Sequence, residues 1–154
     1  MQAGVLARGQ LVEHGEMRAY HLADRGELVL EVLREADGRA WQLRLPVREQ
    51  AAVARLVRQV TPALAAPKTF AFDEHGAALL GQTPIGPNDQ VAAVVLAQDE
   101  ERVFALWRRE RLRGGWSWTI DVTLVPLALA PELCAFVQEV LATLGDYRRN
   151  LPGG

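Results

Sequence analysis

The chain has 154 residues, enough for one well-packed domain or for two small modules that share a core. Apolar residues make up 49% and charged residues 23%, ordinary globular values, and a formal charge of −2 with a pI near 5.9 excludes a generally basic nucleic-acid binder while leaving room for a local basic strip. The N-terminus shows no basic segment followed by an apolar run, the longest apolar runs (91–97 and 122–130) are too short to span a bilayer, and the single cysteine, Cys134, excludes an internal disulfide, so a cytoplasmic protein without a membrane partner is expected.

In chain order, the apolar pattern predicts strands over 3–12, 16–23, 27–35 and 39–45. Asp37-Gly38 reads as a two-residue hairpin turn. Trp41-Gln42-Leu43-Arg44-Leu45 alternates as a strand with one buried face does, and Pro46 stops it because proline cannot donate to a ladder. A helix over 48–60 follows, its apolar face formed by Val53, Leu56, Val57, Val60 and Leu64, with Pro62 disrupting its end. A linker over 65–76, extended at 69–72, precedes strands over 76–86, 90–97, 101–110 and 116–124. Residues 84–89 form a loop rich in turn formers, Gly114-Gly115 fills a second hairpin, and Pro126 stops the last strand. A second helix over 131–144 ends at Gly145 as a cap, and the tail 147–154 is loose.

The second half repeats the first. Leu22 placed over Leu96, an offset of 74 residues, also places Leu6 over Leu80, Met17 over Val91, Ala19 over Ala93 and Arg34 over Arg108. Past a short insertion at 112–114, Trp41 falls on Trp118. After a second insertion Val53, Leu56, Val57, Val60 and Leu64 fall on Leu133, Phe136, Val137, Val140 and Leu144. The fold class is α+β, a duplicated four-strand meander plus helix (ββββα-ββββα) in a single domain over 1–154. Repeat 1 covers about 3–64 and repeat 2 about 77–146.

Few residues suit catalysis. His14, His21 and His75 lack metal-ligand spacing, and Asp73-Glu74-His75 reads as a solvated turn. Ser117, the one serine, sits between two tryptophans and not on a nucleophile elbow, Cys134 reads as a small core residue, and no phosphate-binding glycine loop occurs. Neither enzymatic activity nor a cofactor is expected. Of the 17 basic residues all but Lys68 are arginine, which can fork onto phosphate and stack on bases. If Phe104 and Leu106 face the core, then Val103, Ala105, Trp107 and Arg109 face outward, beside a hairpin carrying Arg111 and Arg113. An indole flanked by guanidiniums suits stacking and phosphate neutralisation, and Arg44 lies on the polar side of the equivalent first-copy strand. Packing of Trp107 against a partner sheet or subunit is the other reading.

Two ββββα copies in one chain resemble the Whirly proteins and the PUR-repeat (Pur-alpha type) proteins in topology and repeat length, over about residues 3–144. The resemblance implies intertwined sheets and helices, with single-stranded DNA or RNA lying against the sheets. Carried onto this chain, it implies binding of single-stranded nucleic acid, DNA rather than RNA, through Trp107, Arg109, Arg111, Arg113 and Arg44 in a homo-oligomer, in repair, replication or transcription. The chain is also similar to small α+β dimers that act as secretion chaperones or regulatory partners, which makes a non-catalytic protein-interaction module the alternative.

Overall fold

In a computed structural model that describes residues 4–11, 13–65, 70–98 and 100–149, the elements run β1 (Gly4–Leu11), β2 (Gly15–Leu22), β3 (Glu27–Arg34), β4 (Ala40–Pro46), α1 (Gln50–Ala65), β5 (Ala77–Pro84), β6 (Asp89–Gln98), β7 (Glu101–Leu112), β8 (Gly115–Pro126) and α2 (Ala130–Arg149). The strands form two four-stranded antiparallel sheets in consecutive order, β1-β2-β3-β4 and β5-β6-β7-β8. The architecture is the duplicated ββββα expected from the sequence.

The repeat is visible in detail. A bulge displaces Leu6 in β1 and Leu80 in β5, the pair matched at the 74-residue offset. Pro46 and Pro126 end the fourth strands, and each is followed by a three-residue 3-10 turn and then a helix. The register departs from the sequence alignment between these points. Ala93 pairs with Leu106 where Ala19 pairs with Leu30, so β7 is offset from β3 by 76 residues rather than 74. Leu45 pairs with Leu28 and Val125 with Phe104, which sets β8 at an offset of 80 from β4. The first insertion therefore lies in the β6–β7 hairpin, and Trp41 corresponds to Asp121, not Trp118. Weak identity along alternating strands fixes which side is apolar but tolerates a two-residue slip, because the side-chain period is two.

The turns also differ from expectation. Arg34 and Arg39 bracket a four-residue loop through Arg34 N–H to Arg39 C=O at 2.8 Å, with Gly38 at φ 67°. Asp37 closes it, accepting from the Arg34 guanidinium and the Arg39 amide, and these hold its carboxyl down to about 2. The β7–β8 turn is Arg113-Gly114, one residue earlier than expected, since Leu112 pairs with Gly115.

Both helices run on past their expected ends. Pro62 lies inside α1, where it removes one bond near the C-terminus while the Thr61 hydroxyl donates to the Val57 carbonyl at 2.7 Å. Gly145 does not cap α2, which continues to Arg149, and residues 147–149 of the expected tail are helical. A Cβ on Gly145 would come within 2.5 Å of Gln50 Nε2, whose amide donates to Leu141 C=O at 3.2 Å. Glycine there leaves room for the Gln50 amide that ties the start of α1 to α2. Residues 70–72 carry no regular structure, and Thr69 falls outside the described residues.

The helices are exchanged between the repeats. α1 packs on β5 and β6, α2 packs on β1 and β2, and the two helices pack on each other. Two glycines mark the contacts: Gly9 of β1 lies under Phe136 of α2, and Gly81 of β5 lies under Leu56 and Val60 of α1. One core results, in which Leu43, Leu45, Val57 and Val60 join Val91, Phe104, Leu106, Val125 and Val137. The stretch Leu127–Gly145 is long and apolar enough to cross a membrane, unlike the shorter apolar runs 91–97 and 122–130. Its Leu133, Val137, Val140, Leu141 and Leu144 lie in this core. Burial of that apolar stripe is what holds α2 to the first sheet.

Candidate nucleic-acid interface

Each sheet has a core side under a helix and an outer side, and the outer sides have diverged. On the first sheet the outer row is polar and knitted around Glu31. Gln42 donates to it at 2.7 Å, Tyr20 OH donates at 3.5 Å and Arg18 approaches at 3.7 Å. On the second sheet the register puts Ala92, Val94, Ala105, Val122 and Leu124 at the corresponding places, with Trp107 where the first sheet has Glu31.

Phe104 and Leu106 are buried in the core as expected, so Val103, Ala105, Trp107, Arg109 and Arg111 share the opposite side of β7. Val103 and Ala105 are nonetheless buried, Trp107 is half-buried and Arg111 is exposed. The Arg109 guanidinium donates to Gln82 Oε1 at 2.8 Å and also to the side-chain oxygen of Gln90. Burial lowers the Arg109 pKa below the ordinary arginine value. Arg113 is exposed at the β7–β8 turn. Register sets Trp118 opposite Arg109 and Trp116 opposite Arg111. Trp107, Arg109, Arg111 and Arg113 are thus brought onto one strand and its turn.

Arg44 stands apart from them, on the first sheet. Its guanidinium donates to Asp121 Oδ1 of β8 at 3.0 Å, across the seam where β4 meets β8. Arg108 completes the seam, donating to the Arg44 carbonyl at 2.9 Å and to Asp89 Oδ2 at 2.9 Å, with Asp121 Oδ2 at 3.9 Å. The hydrogen bond to Asp121 and that carboxylate's charge raise the Arg44 pKa further, so its charge is firmly held but locally compensated.

Arg39 joins the seam without any expectation attached to it from the sequence. Its guanidinium lies over the Trp41 ring, 4.7 Å from the centroid. The Arg39-x-Trp41 spacing on a strand was the available signal, because residues two apart share a side. Together with Ala40, Gln42, Arg44 and Asp121 these residues line an open cleft of about 600 Å³ at the seam.

The remaining chemistry-bearing side chains have structural settings. Asp73 accepts from the amides of His75 and Ala77 in an exposed turn, as expected. Burial pushes the Cys134 thiol up to about 12, against a smaller opposing effect of Thr61. Among the described residues, no three His, Cys, Asp or Glu side chains gather into a metal-holding group. No protein-family model matches the chain, and no curated protein matches it.

Proposed function

We propose that the protein binds single-stranded nucleic acid along the outer side of β7 and the β7–β8 hairpin, without catalysis. One observation carries the reading: Trp107, Arg109 and Arg111 alternate along one side of a 12-residue strand, and exposed Arg113 follows at its turn. Successive members lie about 6.8 Å apart at the strand's rise per residue, a run over which a flexible backbone can lay several phosphates and set a base against the indole. The exchanged helices are the kind of intertwining that the likeness to Whirly and PUR-repeat proteins implied, which supports the reading at the level of architecture. Arg44, neutralised by Asp121, is not counted among the phosphate contacts.

Titration with oligo-dT tests this. Tryptophan fluorescence is expected to quench at low salt, with Trp107→Ala weakening binding. The absence of quenching together with the absence of a mobility shift would refute it. A second reading, a non-catalytic interaction module in a homo-oligomer, draws on Leu79, which is 53% exposed on the outer side of β5 beside the buried Val94 and Ala105. Sedimentation of the free protein as a monomer at micromolar concentration would count against that reading.

A further inference from the structure

We propose that the seam cleft between β4 and β8 holds a nucleobase of the bound strand, a second base contact besides that at Trp107, with phosphate contact at the β7–β8 hairpin. The inference rests on the nucleic-acid reading above. The cleft is lined by Arg39, Ala40, Trp41, Gln42, Arg44 and Asp121, and its volume of about 600 Å³ admits a base with its sugar. Its charge is the first argument. Arg44 and Asp121 meet at 3.0 Å and cancel, which leaves the cleft with the charge of Arg39, already laid over the Trp41 ring, so the lining offers more to a planar ring than to the charged backbone of the strand.

A neutral ring that carries both donors and acceptors suits it well. Arg44 and Gln42 supply donors, and Asp121 supplies acceptor oxygens beside them, which is what the edge of a base requires. The stacking surface is the second argument. Trp41 is half-buried, which fixes its ring, and the face it turns outward is covered by the exposed guanidinium of Arg39 at 4.7 Å. A planar cation already rests where a planar base would rest, and an exposed arginine can swing aside or stack on the base's other face. In the second repeat Asp121 stands where Trp41 stands in the first, so the duplication supplies one such cleft with its indole from β4 and its carboxylate from β8.

The test compares a 20-nucleotide oligo-dT with an abasic oligonucleotide of the same length and charge. The wild-type chain is expected to bind oligo-dT more tightly. Trp41→Leu, which keeps an apolar group against the core, is expected to weaken oligo-dT binding about five- to hundredfold while leaving the abasic affinity unchanged. Ala40→Phe, which fills the cleft from an exposed position without touching the core, should do the same, and it serves if Trp41→Leu lowers the melting temperature too far to assay. Parallel losses on both oligonucleotides, or no loss on either, would overturn the base site while the hairpin reading stands. Failure of the wild-type chain to bind either oligonucleotide would overturn both.

Discussion

Arg108 occupies in the second sheet the place that Val32 occupies in the first. Val32 pairs with Trp41 across β3 and β4, and the corresponding residues of β7 and β8 are Arg108 and Asp121. An apolar cross-strand pair in one repeat is an ion pair in the other. Its charges are satisfied because Asp89 and the Arg44 backbone reach Arg108, and Arg44 reaches Asp121. The substitution turns a packing position into a tie between the two sheets.

Removing one member of that tie exposes the asymmetry of buried charge. Asp121→Ala leaves Arg108, whose side chain is 20% exposed, without one of its two carboxylates, and is expected to cost about 2–4 kcal/mol in urea unfolding. Arg44→Ala should cost less, about 1–2 kcal/mol, because the lost side chain is 41% exposed and the Asp121 it leaves behind, 13% exposed, keeps Arg108 nearby. Equal losses for the two variants would contradict this account of the seam.

Thr123 presents the opposite case. It is buried on the core side of β8 across from Leu106, at the place of Leu43, and its hydroxyl meets no hydrogen-bond partner among the described residues. Thr123→Val keeps the shape and removes the desolvated hydroxyl, so a stabilisation of about 1 kcal/mol is expected as a higher melting temperature. A destabilised variant would show that the hydroxyl is satisfied in solution.

The buried thiol predicts an alkaline effect. Burial pushes the Cys134 thiol from its ordinary 9.0 up to about 12, so the folded chain holds the proton more tightly than the unfolded chain. The stability this contributes is fully present below about pH 9 and is lost as pH rises towards 12. The difference in unfolding free energy between wild type and Cys134→Ala should therefore shrink as pH rises from 8 to about 10.5. Alkylation of the native protein by iodoacetamide at pH 7 should be slow and limited by unfolding.

Gly15 marks a backbone contact rather than a turn requirement. A Cβ there would lie 1.9 Å from the Leu33 carbonyl oxygen, and backbone cannot step aside as a side-chain end can. Gly15→Ala is expected to destabilise by more than about 2 kcal/mol, measured by chemical denaturation. A near-neutral result would mean the β1–β2 hairpin shifts freely against β3.

Nucleic-acid binding through the β7–β8 hairpin makes a quantitative salt prediction. Arg111→Ala combined with Arg113→Ala should leave the melting temperature within about 1–2 °C, since both side chains are exposed, and should reduce the slope of log K against log salt by about 1.4. An unchanged slope would place the strand elsewhere.

Strand alternation, the two proline stops and the helical spacing of Val53 to Leu64 and of Leu133 to Leu144 sufficed to derive two ββββα copies from the sequence. Those signals are local, and local periodicity says which side of an element is apolar. It does not say which surface covers that side, so the exchange of the helices between sheets came only from the tertiary structure. The same limit hid the two-residue slip in β7, the passage of α1 through Pro62 and the role of Gly145 in helix contact. It also hid the fate of Arg44, whose partner Asp121 lies 77 residues away. A charge compensated across such a distance leaves no pattern in the chain, and only the meeting of β4 with β8 decides whether it faces a ligand or a carboxylate.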